Sequence, residues 1–416
     1  MHALEKILAK KSGRDVVRTD EIVNCAVDLS GINDLYLQTV RSFREINAKR
    51  MVNPGQVVMF MDHYAPASTI TQADNQKQFR AFFREQGAEL VMDVNEGVCH
   101  QVLADKGFSK PGQLIVITDS HTTTHGAFGA FSTGVGATDM ATILATGKLW
   151  FRVPEIIRIV INGKTSPGVY AKDIILHIIG RLGADHAVYK GVEFAGETVS
   201  SWSVSERMAL CNMTTEMGAK CSYIQPDGIT EAFLRERGAT HYEIMHTDAG
   251  FRYADELRFD ASAIPPQLAA PSSVDNVVPL AGHLGRRIDQ AYLGSCTGGR
   301  LEDIAVAAAI VKGRAIAKGT RFLVVPASRK TLLDAMEKGY IQSLVNAGAT
   351  LITPSCAACL GTHQGLLAPG EICISATNRN FPGRMGSTEA SIYLASPATV
   401  AASALEGAIA DPSAYL

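Results

Sequence analysis

The hydrophobic and polar positions of this chain form short apolar runs that alternate with segments of helical periodicity. Five of the runs end in polar side chains of the kinds that bind ligands. They are QVVMFMDH (56–63), QLIVITDSHTTTHG (113–126), QAYLGSC (290–296), ATLITPSC (349–356) and EICISATNR (371–379). This alternation is typical of α/β architecture. Because ligands bind at the carboxyl edge of open α/β sheets, the five strand ends together predict one site.

Three segments show helical periodicity clearly. The opening MHALEKILAKKSG has Leu4, Ile7 and Leu8 at helical spacing and predicts a short amphipathic helix. The segments 301–319 and 328–348 both end at glycine, which favours a helix terminus there.

The stretch 261–283 interrupts the pattern, because it is rich in proline and small residues, and it predicts a linker. A second boundary is expected near residue 155, after GKLWFRVPE. We therefore predict three α/β domains, which span residues 1–155, 156–279 and 280–416.

Composition and charge exclude several classes of protein. The chain has 416 residues, 46% hydrophobic and 19% charged, with a formal net charge of −2. The chain has no stripe of basic residues that would indicate nucleic acid as a partner. No apolar run approaches the roughly 20 residues that cross a bilayer, so a membrane is not expected either.

The opening helix carries Glu5 among its lysines, whereas transit peptides avoid acids, and no signal peptide is evident. With no export signal, the eight cysteines are expected to be reduced thiols in a cytoplasmic protein.

PSCAACLG (354–361) places Cys356 and Cys359 in a CxxC spacing. The spacing alone allows a redox disulfide, part of a structural zinc site or two buried core thiols. Cys296, in GSCTGGR at another strand end, adds a fourth interpretation. Three cysteines on adjacent strand ends can hold three irons of a cubane cluster, which leaves one iron without a thiolate. The other five cysteines fit a core better, although Cys99 abuts His100 and could approach the site.

The chain resembles the aconitase superfamily. The resemblance is carried by five motifs, which in chain order are TDSHTTTHGAFGAFSTGVGATD, GVYAKDIILHIIG, GSCTGGRLEDIAVAA, PSCAACLG and ATNRNFPGRMG. They follow one another in the order typical of that family and extend over nearly the whole chain. The branch it resembles comprises large subunits of 3-isopropylmalate dehydratase, with homoaconitase and 2,3-dimethylmalate dehydratase beside them. The resemblance implies a three-domain α/β fold around a central iron–sulfur site. It also implies a hydro-lyase that dehydrates and rehydrates a hydroxy di- or tricarboxylic acid.

The resemblance also implies roles for individual residues. Cys296, Cys356 and Cys359 match the ligands of a 4Fe–4S cluster whose open iron binds substrate. The catalytic acid–base residues are expected to be Asp62, His63, His100, Asp119, His121 and Glu193. The substrate-binding residues are expected to be Asn33, Ser120, Asn378, Arg379 and Arg384. A carboxylate-oriented imidazole can protonate a leaving hydroxyl, and a guanidinium fork suits a carboxylate.

The chain departs from the family pattern at two positions. Gly298 stands where the family usually has asparagine, and Asn33 stands where it usually has histidine. Neither change removes a cluster ligand, but both concern the choice of substrate. The glycines at 126, 129, 134 and 136 match neither a phosphate loop nor a dinucleotide fingerprint and are expected to serve close packing.

Long aconitases carry a mobile fourth domain with a serine base. This chain stops at IADPSAYL, so that domain is expected on a separate small subunit. A non-catalytic regulatory protein that keeps the cluster is the alternative, and the retained acid–histidine set argues against it.

Overall fold

The structure is a computed structural model that describes residues 1–416. It contains eighteen strands: β1 Ile22–Ala26, β2 Leu29–Asn33, β3 Val57–Phe60, β4 Val91–Met92, β5 Leu114–Ile117, β6 Phe131–Gly134, β7 Lys148–Arg152, β8 Ile156–Asn162, β9 Gly191–Ala195, β10 Cys221–Ile224, β11 Asp255–Asp260, β12 Gln267–Ala269, β13 Val277–Pro279, β14 Gln290–Gly294, β15 Arg321–Val325, β16 Thr350–Leu351, β17 Ile372–Ser375 and β18 Ser391–Leu394.

The α-helices alternate with these strands: α1 Ala3–Ser12, α2 Leu37–Glu45, α3 Ile70–Gln86, α4 Cys99–Asp105, α5 Ala137–Thr146, α6 Ala171–Leu182, α7 Glu197–Ser201, α8 Val204–Asn212, α9 Gly228–Glu236, α10 Ser295–Gly298, α11 Leu301–Val311, α12 Arg329–Glu337, α13 Tyr340–Ala347 and α14 Pro397–Glu406. Short 3-10 helices include Ser120–Phe128, Met213–Met217 and Ala357–Leu360. No helix has both the length and the apolar run needed to cross a membrane.

The strands form three main sheets and one antiparallel pair, β1 with β7. The first sheet has the order β4-β3-β2-β5-β6 and the second the order β10-β9-β8-β11, and both are entirely parallel. The third sheet has the order β13-β12-β18-β17-β14-β15-β16 and is parallel from β18 onward. The predicted α/β class is therefore confirmed.

All five apolar runs are strands, as predicted: β3, β5, β14, β16 and β17. The first two belong to the first sheet and the other three to the third sheet. A small core of thirteen buried residues includes side chains of β3 and β5 together with Cys296 and Cys356. The carboxyl edges of the two sheets therefore meet, which places their polar ends in one location.

The predicted linker is wrong in part, because 261–283 contains β12 and β13. β12 pairs with β18 through Ala269 and Leu394, so the third sheet recruits strands from before residue 280. β13 is the short edge strand of this sheet, and a proline such as Pro279 is compatible with an edge position.

Helix ends also refine the sequence analysis. α1 forms as predicted, with the His2 ring accepting from Leu4 N–H and Gly13 ending it at φ +71°. The helix expected over 301–319 ends earlier, at Val311, and Gly313 follows with φ +72°. The helix expected over 328–348 is divided into α12 and α13 by Gly339, whose φ of +73° interrupts it.

Candidate active site

The five strand ends converge on a cavity of about 120 Å³. We call it the cysteine cavity, because Cys296, Cys356 and Cys359 line it together. Seven other predicted site residues line it as well: His63, Asp119, Ser120, His121, Asn378, Arg379 and Arg384. A wider cleft of about 490 Å³ shares Tyr36 and Ser120 with this cavity and adjoins it. Two sheets thus bring together His63 and Arg384, which are 321 positions apart in the chain.

Two short turns place the three thiols. Cys296 lies in α10 directly after β14, and Ser295 before it has φ +70°. Cys356 and Cys359 flank the turn at Ala357, whose φ is +46°. Left-handed backbone at non-glycine residues is strained and concentrates at functional sites. All three side chains are buried, with exposures of 6%, 8% and 4%.

Side-chain amides surround Cys296. The Nδ2 atoms of Asn212 and Asn378 donate to its Sγ at 3.1 and 3.4 Å. Burial raises the pKa of the free Cys296 and Cys356 thiols to about 12, so their thiolates need a nearby cation. All eight cysteines are free thiols. Buried thiols with amide donors aimed at sulfur fit a bound metal group, because the metal would supply that positive charge.

His63 is held between two carboxylates. Its Nδ1 lies 2.7 Å from Asp62 Oδ1 and its Nε2 lies 3.4 Å from Asp119 Oδ2. Burial alone would lower the pKa of His63, but negative charge at the Cys356 sulfur and the two carboxylates of Asp62 and Asp119 hold it well above its usual value. An imidazole that keeps its proton at neutral pH is suited to act as an acid.

Asp119 joins three histidines. Its Oδ1 lies 3.2 Å from His100 Nε2 and 3.5 Å from His121 Nδ1, in addition to the His63 contact. Burial opposes ionisation of Asp119, but the histidines around it keep its pKa well below the usual value. Asp119 is therefore a carboxylate at the centre of the acid–histidine network.

Two further residues extend this network behind His100. His100 Nδ1 lies 3.3 Å from His125 Nε2, and Ser109 Oγ lies 2.8 Å from His125 Nδ1. Burial and the neighbouring His100 hold the pKa of His125 well below its usual value. His125 occurs in the quoted THG segment, yet nothing in the sequence distinguishes it from a packed histidine.

The two predicted arginines differ in their contacts. Arg379 Nε donates to Glu216 Oε1 at 2.9 Å. Arg384 is 9% exposed, and its Nε has no partner. Arg384 therefore keeps a free donor beside the cavity for an incoming carboxylate.

Glu193 does not lie at this site, so the sequence-based placement is wrong. Its carboxylate contacts His2 at 2.6 Å and Tyr253 at 3.1 Å and lines a different cavity. The glutamate beside the histidines is Glu216, whose Oε1 lies 2.7 Å from His121 Nε2. The charge and hydrogen bonds of His121 and Arg379 outweigh burial and lower the pKa of Glu216. Glu216 lies in the short 3-10 helix Met213–Met217, and nothing in the sequence around it indicated this contact.

Asn33 and Asp62 lie one layer behind the cavity, and neither lines it. Asn33 Nδ2 contacts both oxygens of Asp62 at 3.0 Å, and its Oδ1 accepts from Thr118. Asn33 was predicted to bind substrate, but its side-chain amide is engaged with Asp62 and does not face the cavity lining. Asp62 in turn orients His63.

Close packing around Gly298 accounts for the absence of the asparagine that the family usually has at this position. A Cβ at this position would lie 2.3 Å from the Cβ of Ala376. The loop that carries Cys296 therefore packs directly on the β17 end, and no asparagine side chain fits there.

Lys172 is a residue that the sequence analysis missed. It is 2% exposed, and its Nζ donates to Thr377 O at 2.5 Å and lies 3.5 Å from Thr297 Oγ1. Burial lowers the pKa of its ammonium group to about 8, while the thiols of Cys296 and Cys359 oppose that shift. Lys172 links the two loops that carry Cys296 and Asn378.

The fold and this cavity define an α/β enzyme whose site combines buried thiols, acid–histidine pairs and arginines. The model of the aconitase family (aconitate hydratase) matches residues 5–287 and 283–407. The 3-isopropylmalate dehydratase large subunit 1 of Methanopyrus kandleri is 48% identical over 99% of both chains. The probable methanogen homoaconitase large subunit of Methanothermobacter thermautotrophicus is 48% identical over 99% of this chain and 97% of its own.

Among solved structures, aconitase X of Thermococcus kodakaraensis (holo-form) superposes with a TM-score of 0.51. It is 13% identical and covers 94% of this chain and 93% of its own, so it shows the shared fold. The chain belongs to the aconitase family and is a hydro-lyase, as the sequence analysis predicted.

Proposed function

We propose that this chain is the large subunit of a dehydratase that isomerises 2- and 3-isopropylmalate, a step of leucine biosynthesis. The observation that carries the proposal is the single cavity shared by three buried cysteines, the Asp119 network and Arg384. The names of similar proteins, such as the Methanopyrus kandleri subunit, support the choice of substrate.

Homoaconitase is the second candidate function. Two similar proteins carry that name, one of them 50% identical over 90% of this chain. Isopropylmalate and the homoaconitase substrate share the carboxylates that Arg379 and Arg384 would bind, and they differ in the remaining substituent.

We propose that Cys296, Cys356 and Cys359 hold a 4Fe–4S cluster. Their burial and the amide donors on Cys296 fit such a group. When bound, the cluster supplies a Lewis-acidic iron at the cavity.

The protein's own residues would bind and orient the substrate. Arg384 offers its free Nε and the fork of its guanidinium to a carboxylate, while Glu216 fixes the plane of Arg379. A carboxylate held in two places presents its hydroxyl-bearing carbon in one orientation.

His63 is the proposed proton donor to the leaving hydroxyl. Its ring lines the cavity, and Asp62 and Asp119 hold the two ring nitrogens in place. The carboxylate of Asp119, which also contacts His100 and His121, lies beside His63 and would favour the return of a proton to its ring.

We propose that a small subunit completes the site and contributes the serine base that removes the α-proton. The term "large subunit" in the names of similar proteins supports this partner. The wide cleft at Tyr36 and Ser120 gives the partner and the substrate a route to the cavity.

The test is an anaerobic assay of the chain with and without the co-expressed small subunit, using isopropylmalate and homocitrate as competing substrates. We expect dehydration of isopropylmalate with both subunits present and little with the large subunit alone. A preference for homocitrate would select the second candidate. Full activity without a partner would overturn the two-subunit proposal.

A further inference from the structure

A second cavity shares no lining residue with the cysteine cavity. Its volume is about 200 Å³, and Arg237, Arg300 and Lys330 line it. We call it the arginine cavity. The function described above uses none of these three residues.

Arg300 is the unusual residue of this cavity. It is 3% exposed, yet its guanidinium makes no hydrogen bond or ion pair, and its buried Nε and Nη2 have no partner. The charge of Arg300 acts on the buried Asp303, but Asp303 accepts from the backbone N–H of Arg300 and not from its guanidinium. The buried guanidinium N–H groups therefore lack acceptors, which is costly away from water. An occupant with acceptor atoms would remove that cost.

Arg207 shows what a purely structural buried arginine looks like in the same molecule. It is also fully buried, and its guanidinium donates to Val199 O, Ser200 O and Thr230 Oγ1. It also makes a bidentate pair with Asp227 at 2.8 and 2.7 Å. The fold can therefore satisfy a buried guanidinium completely, and at Arg300 it does not.

Arg237 adds a second free donor to the same cavity. Its guanidinium lies 3.3 Å from the centre of the Phe233 ring, and its Nη1 donates to Phe233 O. Its buried Nε has no partner. Two neighbouring guanidinium groups thus line one cavity with unused N–H donors.

The acidic side chains of the cavity already accept hydrogen bonds from residues other than Arg300 and Arg237. Asp105 accepts from Ser328 and Gln101, Glu302 accepts from Ser203, and Asp334 pairs with Lys330. They therefore do not satisfy the donors of Arg300 and Arg237, and those donors remain available to a ligand.

We propose that the arginine cavity is a second anion site, which binds a tetrahedral oxyanion of the phosphate class between Arg300 and Arg237. Guanidinium forks match phosphate oxygens in pairs, and a group of this size fits a cavity of about 200 Å³. The same chemistry is offered by free inorganic phosphate and by a small phosphate monoester.

The position of this site gives it a structural role. α4, α8 and α11 contribute to its walls, and α4 and α8 carry His100 and Asn212 toward the cysteine cavity. Arg300 directly follows the turn that contains Cys296. A bound anion would therefore stabilise elements that also support the candidate active site.

Isothermal titration of the full chain with inorganic phosphate, at constant ionic strength, tests the site without measuring enzyme activity. We expect saturable binding that is weakened about tenfold or more in Arg237→Gln, because one charge-assisted pair is lost. Arg235→Gln is the matched control, because Arg235 lies exposed in α9, the helix that Arg237 caps, and this change removes the same charge. Arg237→Gln leaves the Cys296 turn intact, so the test does not depend on the folding of an Arg300 variant.

Methyl phosphate, titrated in parallel, distinguishes the two sources of the anion. Equal binding of both compounds assigns the site to phosphate monoesters, and binding of inorganic phosphate alone assigns it to the free ion. Absence of saturable binding by either compound, or equal weakening in Arg235→Gln, would overturn the proposal.

Discussion

The cysteine cavity and the arginine cavity both contain a buried guanidinium with an unused Nε, at Arg384 and Arg300 respectively. They differ in what surrounds that group. In the cysteine cavity, Asp119 connects three histidines, whereas the carboxylates of the arginine cavity are engaged with their own neighbours. Unused donors thus mark a place for an anion, and only a connected acid–histidine network adds the means to move protons.

The largest effect is expected from Cys296→Ser, which removes one proposed cluster ligand. Bound iron and dehydratase activity should both fall to background, because two thiolates hold a cubane poorly. Cys373→Ser is the control, since that cysteine is equally buried but lies in β17. If Cys296→Ser retained iron and rate, the ligand assignment would fail. Phosphate binding at the arginine cavity should survive this change, which separates the two cavities.

Arg384→Gln should weaken substrate binding next. Loss of a charge-assisted pair corresponds to roughly 10- to 100-fold in kcat/KM, mostly through KM. Steady-state kinetics with the exposed Arg235→Gln variant as control checks this. An unchanged KM would show that the free Nε of Arg384 does not serve the substrate.

Two glutamates provide a direct comparison between sequence and structure. Glu216→Gln should lower kcat by about 10-fold or more, because His121 and Arg379 lose their shared carboxylate. Glu193→Gln should leave kcat unchanged and lower the free energy of unfolding by about 1–3 kcal/mol through its buried contact with His2. The reverse pattern in kinetics and urea unfolding would restore the sequence-based placement.

The smallest effect concerns Glu206, on the helix that contributes to the arginine cavity and carries Asn212. Burial raises the pKa of Glu206 to about 8. The folded chain then binds one more proton than the unfolded chain between its ordinary pKa and pH 8, so stability falls as pH rises through that window. Glu206→Gln should flatten this slope, because a glutamine oxygen can still accept from Ala171 N–H. Urea unfolding at several pH values measures it, and an unchanged slope would contradict the assignment.

The sequence predicted most of the site because strand ends in α/β sheets share one edge. The Cys296, Cys356 and Asn378 segments each follow an apolar run, and that pattern alone placed them together. The sequence could not predict which of these side chains line the cavity and which lie behind it. Asn33 and Asp62 follow the same rule, yet they lie one layer behind the cavity because their side chains bond to each other.

Contacts between distant elements were also beyond the sequence. Glu216, Lys172 and His125 reach the site from helical segments whose periodicity gives no sign of it. Arg300 lies within a quoted motif, yet only the structure shows that its donors lack partners.

The central claim is that Cys296, Cys356 and Cys359 hold an iron–sulfur cluster at the site of dehydration. The most direct measurement is the iron and acid-labile sulfide content, with the visible absorption spectrum, of the anaerobically reconstituted chain. We expect a brown protein with about four irons and four sulfides per chain, which are lost in Cys359→Ser and kept in Cys373→Ser. A colourless chain that carries zinc, or a full cluster in Cys359→Ser, would contradict this claim.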